Sequence, residues 1–474
     1  MFRNSIFRKL VMPVLAFALI AAFTVQSADA ENPKWKEQQQ ALFDEMGLKP
    51  GETIDKKDWE RIKEYLPESM VRWVKDGVIE MRIGAMEYDI THDESLIKDS
   101  AKNAGKYTLD EKKNLVEKGS GKPPLWMHGM PFPEVAFEND PDSSNIKKDS
   151  NGATKFIYNR LLALNRHGSE MKYWSCDWIG FTNGFERTIK NYWARSMYWY
   201  RPDGQIPNPG KLRYRDLTVV LEPFDVAGTA QLTLRHIDGS EDELYVYVPA
   251  IRRVKRMSGA NRSDPYMGSD ISVDEGTCWA GLTSSFKWTF VEERNALFLM
   301  TEWNTKHPLK MRLLPNGKTW QSPTDEEAMR VQWEDGDAWK ESGLAPWGPA
   351  NMVFVPRKMY VIKSEPLDAY YNTGNVIYWA DKETYWLDYK VIWNRADEYW
   401  KTMIVPPMCT DWAGKHGIQH EHGYMTVDEK LKHATVIYRG GTPKGLGKIL
   451  YTEFNNPEVN PRMFTVERLK TLTK

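Results

Sequence analysis

Residues 244–248 alternate aliphatic side chains with tyrosine, a period of two that predicts a strand with one apolar and one aromatic face. Comparable runs at 192–200, 217–221, 231–236, 286–291 and 296–302 extend this into a first series of predicted strands. Those at 352–364, 375–380, 384–394, 400–405, 433–439 and 449–454 make a second. Pro202-Asp203-Gly204 and His236-Ile237-Asp238-Gly239 supply turn chemistry at hairpin spacing, so the strands read as antiparallel meanders. No self-similar period runs through them, which sets aside solenoids and propellers. The pattern shifts towards two from Lys155 onward, and so long a strand-rich stretch suits a single sheet. The predicted class is α+β, mainly β: one large curved antiparallel sheet with helices packed on it.

Upstream, the spacing is helical and strongly charged. A helix is predicted over 34–46, stopped by Gly47, and another over 55–66 with Trp59, Ile62 and Leu66 on one face. Pro67 ends that helix and opens a third carrying Met70, Val71 and Val74 as far as Gly77. Thr108 to Glu111 reads as a capping box for a fourth through Leu115 and Val116, stopping at Gly119. Each has a single apolar stripe, so the segment is expected to lie on the sheet as an extension. Residues 119–150 are rich in Pro, Gly and Asp and read as an extended crossing, while the acidic stretch 325–339 reads as a short helix or loop.

After the strand at 244–248, Pro249 lacks the N–H that a ladder needs. Pairing is therefore expected to end there, and Arg252, Arg253, Lys255 and Arg256 to leave the sheet at its rim. Two readings of this cluster stay open: a solvated basic face, or a rim meeting the head group of an amphiphile whose tail lies against apolar residues behind it. The 20 Trp, 22 Tyr and 17 Phe in 474 residues demand either a broad core or a ligand to cover them. A formal net charge of −1 gives no basis for binding nucleic acid.

The start of the chain carries an address. Arg3, Arg8 and Lys9 precede an apolar run over 10–23, and Ala28-Asp29-Ala30 is a small-x-small cleavage pattern, so export with cleavage near Ala30 is expected. The apolar run is shorter than the ~20 residues of a spanning helix, and no cysteine follows it for lipid attachment. Cys176, Cys278 and Cys409 are widely spaced and leave any disulfide pairing open.

Chemistry-bearing constellations are few. His416, His420 and His422 form the one dense imidazole group, readable as a metal site, a surface turn or a pH-sensitive contact. Cys278 sits in no nucleophile signature, and 440–448 lacks the glycine spacing and the Ser or Thr of a phosphate loop. Asp264, Asp270, Asp274 and Glu275 read as an internal ion network answering Arg252, Arg253 and Arg256. No catalytic group and no cofactor is expected.

Four stretches carry a family resemblance: 248–256 followed by Tyr266-Met267-Gly268-Ser269-Asp270, Gly129 to Pro133 with Asp140-Pro141, 375–400, and 463–469. In that order they resemble the uncharacterised bacterial family called domain of unknown function thirteen twenty-nine, outer-membrane lipoprotein-sorting-like proteins of the periplasm. The resemblance implies a lipoprotein-carrier-like half-barrel over 126–474, behind a signal peptide at 1–30 and a helical extension at 31–125. It also implies a hydrophobic small molecule or lipid as passenger, with an efflux-type inner-membrane transporter and an outer-membrane channel-like protein as partners. The expected function is a periplasmic binding or carrier protein, with Trp279, Phe286, Trp288, Tyr378 and Trp386 as wall residues and Arg252, Arg253 and Arg256 for the head group. Alternatives are a structural adaptor in a transporter complex whose sheet is filled by its own side chains, and a metal-dependent hydrolase using His416, His420 and His422.

Overall fold

The two strand series join edge to centre in one open antiparallel sheet. The computed structural model describes residues 33–471, apart from 91, 93, 137–144, 323–337, 415, 422 and 440–451. The first series starts at the centre with β1 (Ser169–Gly180) and walks outward through β2 (Gly184–Met197), β3 (Leu212–Glu222), β4 (Ala230–His236), β5 (Glu243–Val248) and β6 (Arg253–Met257). The second starts at the opposite edge with β7 (Phe286–Thr301). It returns through β8 (Met352–Pro366), β9 (Thr373–Asp381), β10 (Leu387–Asn394), β11 (Tyr399–Ile404), β12 (Gly423–Asp428) and β13 (His433–Arg439). There β13 pairs antiparallel with β1, from His433 opposite Gly180 to Arg439 opposite Trp174. The chain must therefore cross from one sheet edge to the other between β6 and β7.

Among the described residues four helices have eight residues or more: α1 (Pro33–Met46), α2 (Glu68–Lys75), α3 (Glu94–Ala101) and α4 (Gly152–Leu164). α2 presses Met70, Val71, Trp73 and Val74 into the core, and its Ser69 hydroxyl is bonded to that of Thr402 on β11 at 2.6 Å. α4 lies on the inner face and is buried along its whole length except at Lys155. A helix buried on nearly every side has no broad solvent face to offer, so it belongs inside. Gly152 begins it because a Cβ there would stand 2.3 Å from the Ile146 carbonyl oxygen. On the outer face of β2–β5, the C-terminal segment covers Leu217, Val219 and Leu232 with Val459, Phe464 and Leu469. Arg215 ties it down by donating to the carbonyls of Pro461 and Phe464, each at 3.2 Å.

Several local expectations are corrected. The helix α4 occupies the start of the stretch read as strand from Lys155, because an all-round apolar run of aromatic and branched residues lacks the stripe that betrays a helix. The helix expected over 108–119 is a hairpin of Tyr107–Leu109 and Leu115–Glu117. Asp110 accepts the Asn114 N–H at 2.8 Å, so this carboxylate closes a turn in place of opening a helix. The helix expected over 55–66 is a single 3-10 turn, Trp59–Ile62. The runs at 286–291 and 296–302 are one strand, β7, with an irregularity between Phe290 and Glu292.

The basic cluster does not leave the sheet. Pro249–Ile251 forms a 3-10 turn, Arg252 takes a left-handed φ of 51°, and pairing resumes with Arg253 opposite Val248. The missing proline N–H thus falls inside a hairpin turn, and the charged residues become the edge strand, where charge discourages pairing with another chain. The stretches 1–30 and 440–448 and most of 325–339 lie outside the described residues.

Candidate functional site

The 258–285 crossing runs over the inner face from edge to edge, and its fastenings follow the strand order. Tyr266 donates to Asn191 on β2 at 2.7 Å, and Asp270 accepts from His433 and Thr435 on β13. Glu275 meets Lys401 on β11 at 3.2 Å and Lys390 on β10 at 3.3 Å, and Asp274 accepts the Tyr371 hydroxyl at 2.8 Å. Burial pushes the Glu275 carboxyl up, but the two ammonium groups override it and hold the group at about 2. With α4, this strap roofs the inner face.

Under the β1–β4 half the roof leaves a cavity of about 190 Å3, larger than the ~150 Å3 apolar hollow that admits benzene in an engineered core. Its apolar wall comes from Leu161, Leu162 and Leu164 of α4 with Trp174, Trp193, Trp199 and Trp279. Its polar wall is built on register: Arg195 on β2 stands opposite Asp216 on β3, and the pair closes at 2.6 Å. Lys172 on β1 pairs with Glu421.

Arg213 is different. The β3–β4 register jumps between Leu212 and Tyr214, so Arg213 is the extra residue of a bulge, a device that re-aims a side chain. Three guanidiniums gather round the Tyr214 ring, with Arg195, Arg213 and Arg235 at 4.4, 5.1 and 5.4 Å from its centroid. Arg235 is clamped by Asp242, which also takes Arg262, and Arg262 reaches Asp274 as well. Four guanidiniums thus face three carboxylates, and among the described residues Arg213 has neither an ion pair nor a side-chain hydrogen bond. It lines the cavity while 7 % exposed. Burial, then the neighbouring Arg235, bring it down to about 10, so it stays charged at neutral pH.

Arg160 of α4 is 2 % exposed and bonds only backbone, donating to Thr277 O at 2.6 Å and Trp279 O at 3.3 Å. Left-handed φ angles at Thr277 and Cys278 turn those carbonyls towards it. Among the described residues the Trp279 indole N–H and Arg160 Nε, both buried, have no partner. The Cys278 thiol is pushed up to about 12 by burial and so lacks the thiolate that nucleophilic chemistry needs.

A sequence model of the family described as "Protein of unknown function (DUF1329)" matches residues 53–469. The chain belongs to this family. No curated protein matches the sequence significantly. Among solved structures, a domain described as outer membrane lipoprotein-sorting, from Vibrio parahaemolyticus, is similar at 14% identity over 68% of this chain and 100% of its own, with a TM-score of 0.44. A DUF1329 family protein from Desulfovibrio piger is similar at 12% identity over 68% of this chain and 98% of its own, with a TM-score of 0.42. A LolA superfamily protein from Nitrosomonas europaea is similar at 9% identity over 66% of this chain and 98% of its own, with a TM-score of 0.39. Likenesses this distant carry no functional weight.

Of the residues singled out in this DUF1329 chain, Trp279 and Trp386 line the cavity. Phe286, Trp288 and Tyr378 stand behind Trp279, their ring centroids 4.5, 5.2 and 6.3 Å from its own, in a solid edge-to-face stack. Gly281 makes room for it, since a Cβ there would lie 2.2 Å from the Trp279 ring. Arg252, Arg253 and Arg256 are exposed around β6 and do not line the cavity. Asp270, Asp274 and Glu275 do form an internal ion network, but with His433, Arg262, Lys390 and Lys401 in place of the edge arginines. His416 and His420 lie on the strand His416–Glu421, while His422 lies outside the described residues. Among the described residues no three His, Cys, Asp or Glu are grouped to hold a metal, and Cys176, Cys278 and Cys409 are buried free thiols. No helix among them is long and apolar enough to cross a membrane.

Sequence reading missed Arg160, Arg195 and Arg213. A lone arginine inside the apolar run of α4 and the Arg-Tyr-Arg break in the β3 alternation are the signals that mark two of them.

Proposed function

We propose that this protein is a periplasmic carrier that shelters an apolar molecule, or the apolar part of a larger one, in the cavity beneath α4. The observation that supports this best is the cavity itself, a space walled in large part by leucine and tryptophan beneath α4. Burial of apolar ligand surface contributes roughly 25 cal/mol per Å2 before ordering costs, so occupancy needs no covalent chemistry. The signal-like start of the chain supports a periplasmic address. Exchange of the passenger with an efflux-type inner-membrane transporter and an outer-membrane channel-like protein is part of the proposal, and co-purification from cross-linked envelopes tests it.

The direct test is extraction of the natively purified protein into organic solvent, followed by mass spectrometry of the extract. A single class of apolar compound recovered in molar proportion to protein is the expected result. A clean extract, together with no change in tryptophan fluorescence on adding medium-chain amphiphiles, overturns the reading.

A further inference from the structure

A cation buried without a counter-charge is costly unless something compensates it. Arg213 is buried with no direct ion pair among the described residues, and the fold spends a strand bulge on turning it towards the cavity. Its surroundings explain why, among the described residues, no carboxylate pairs with it directly: Asp216 is engaged by Arg195, and Asp242, which offsets its charge only from a distance, is shared between Arg235 and Arg262. The cavity wall also holds donors lacking acceptors, Arg160 Nε and the Trp279 indole N–H. The polar part of this hollow therefore carries an excess of positive charge, with Arg160, Lys172, Arg195, Arg213 and Arg262 against Glu170, Asp216 and Glu421, while leucine and tryptophan make up much of the rest.

We infer that the cavity selects anionic amphiphiles, an apolar chain ending in a carboxylate or phosphate whose charge is met by Arg213, with Arg160 presenting a second guanidinium from α4. This rests on the carrier reading and adds the chemical class of the passenger. The apolar chain takes the wall of Leu161, Leu162 and Leu164, and the charged end takes the bulge. The Trp199 and Tyr214 rings, 5.8 and 5.1 Å from the Arg213 guanidinium carbon, hold that side chain extended for the contact.

The test is calorimetric titration of the full chain with decanoate, decyl phosphate, 1-decanol and inorganic phosphate. Decanoate and decyl phosphate are expected to bind at least about tenfold tighter than decanol, as a charge-assisted contact requires. Inorganic phosphate alone is expected to bind far more weakly than decyl phosphate. Arg213→Met closes the gap between acid and alcohol, while Arg213→Lys keeps part of it. Equal affinity for decanoate and decanol overturns the anion preference and leaves carriage standing, whereas no binding by any amphiphile removes both. Phosphate binding as tight as decyl phosphate overturns the amphiphile assignment in favour of a free-anion site. A gap that persists in Arg213→Met overturns the role of Arg213. Should that variant fail to fold by circular dichroism, the comparison of acid with alcohol on the unaltered chain still decides the preference.

Discussion

The β7–β12 half of the sheet and the β1–β4 half are built from the same kind of strand, yet their inner faces are filled differently. In the former, Phe156 of α4 meets Tyr360 and Tyr385 at 5.6 and 4.7 Å, the Trp279 stack interlocks beside them, and Glu275 answers two lysines. In the latter, the inward positions of β2 and β3 are Arg195, Arg213 and Asp216, with tryptophan between them. Rings interdigitate and exclude space. Guanidiniums resist collapse onto an apolar neighbour because losing their last solvation costs more than the contact returns. Charge therefore helps to hold space open beneath β1–β4, while rings interlock beneath β7–β10.

The contrast breaks if the two halves respond alike to substitution. Phe298→Ala, in a fully buried position of β7, is expected to cost about 3–5 kcal/mol in chemical denaturation and to leave ligand preference unchanged. A loss under about 1 kcal/mol would mean that the packed half is loose as well.

The ion pairs of the packed half supply a pH arm. Glu275, buried but held at about 2 instead of its ordinary 4.5, contributes stability that is complete above pH 4.5 and lost as the pH falls towards 2. That window is worth roughly 3 kcal/mol, and Glu275→Gln should both lower stability at pH 7 and flatten the acid limb. An acid limb identical to that of the parent would place the titrating group elsewhere.

Adding volume gives the next sharpest distinction. Ala296→Phe, in the fully buried part of β7, is expected to cost about 1–3 kcal/mol. Thr218→Phe, facing the cavity from β3, is expected to cost under about 1 kcal/mol while abolishing ligand binding, because the ring enters space the ligand would use. Equal costs would indicate that the cavity is closed in solution. The smallest effect belongs to the edge strand: Arg253→Ala and Arg256→Ala should stay within about 0.5 kcal/mol in stability and leave decanoate affinity intact. A loss of affinity there would return the head-group role to the rim.

Much of the architecture was legible because strands with one buried face keep a period of two. The β4, β5, β11 and β13 ranges follow the alternation to within a residue or so. β1 escaped, since Tyr173 and Trp174 are half-buried in succession and Ser175, Cys176 and Asp177 buried in succession, which leaves no alternation to read. α4 escaped for the matching reason at a helical period. At the site, Trp279 and Trp386 were legible as large rings needing cover. Arg213 was not, because one inserted residue in β3 reverses the face on which an arginine is displayed, and only the register with β4 reveals it.

By itself the sequence determined the family, the mainly β class and the need to cover many aromatic rings, since these follow from local spacing and composition. The tertiary structure decided which arginines face inward, which half stays hollow and how the 258–285 crossing is fastened. Those depend on pairings between residues far apart in the chain, such as Asp270 and Thr435, 165 positions apart, and Lys172 and Glu421, 249 positions apart, and local pattern carries no information about such partners. A charge becomes a ligand site or a solvated edge according to what lies across from it, and that is a property of the fold.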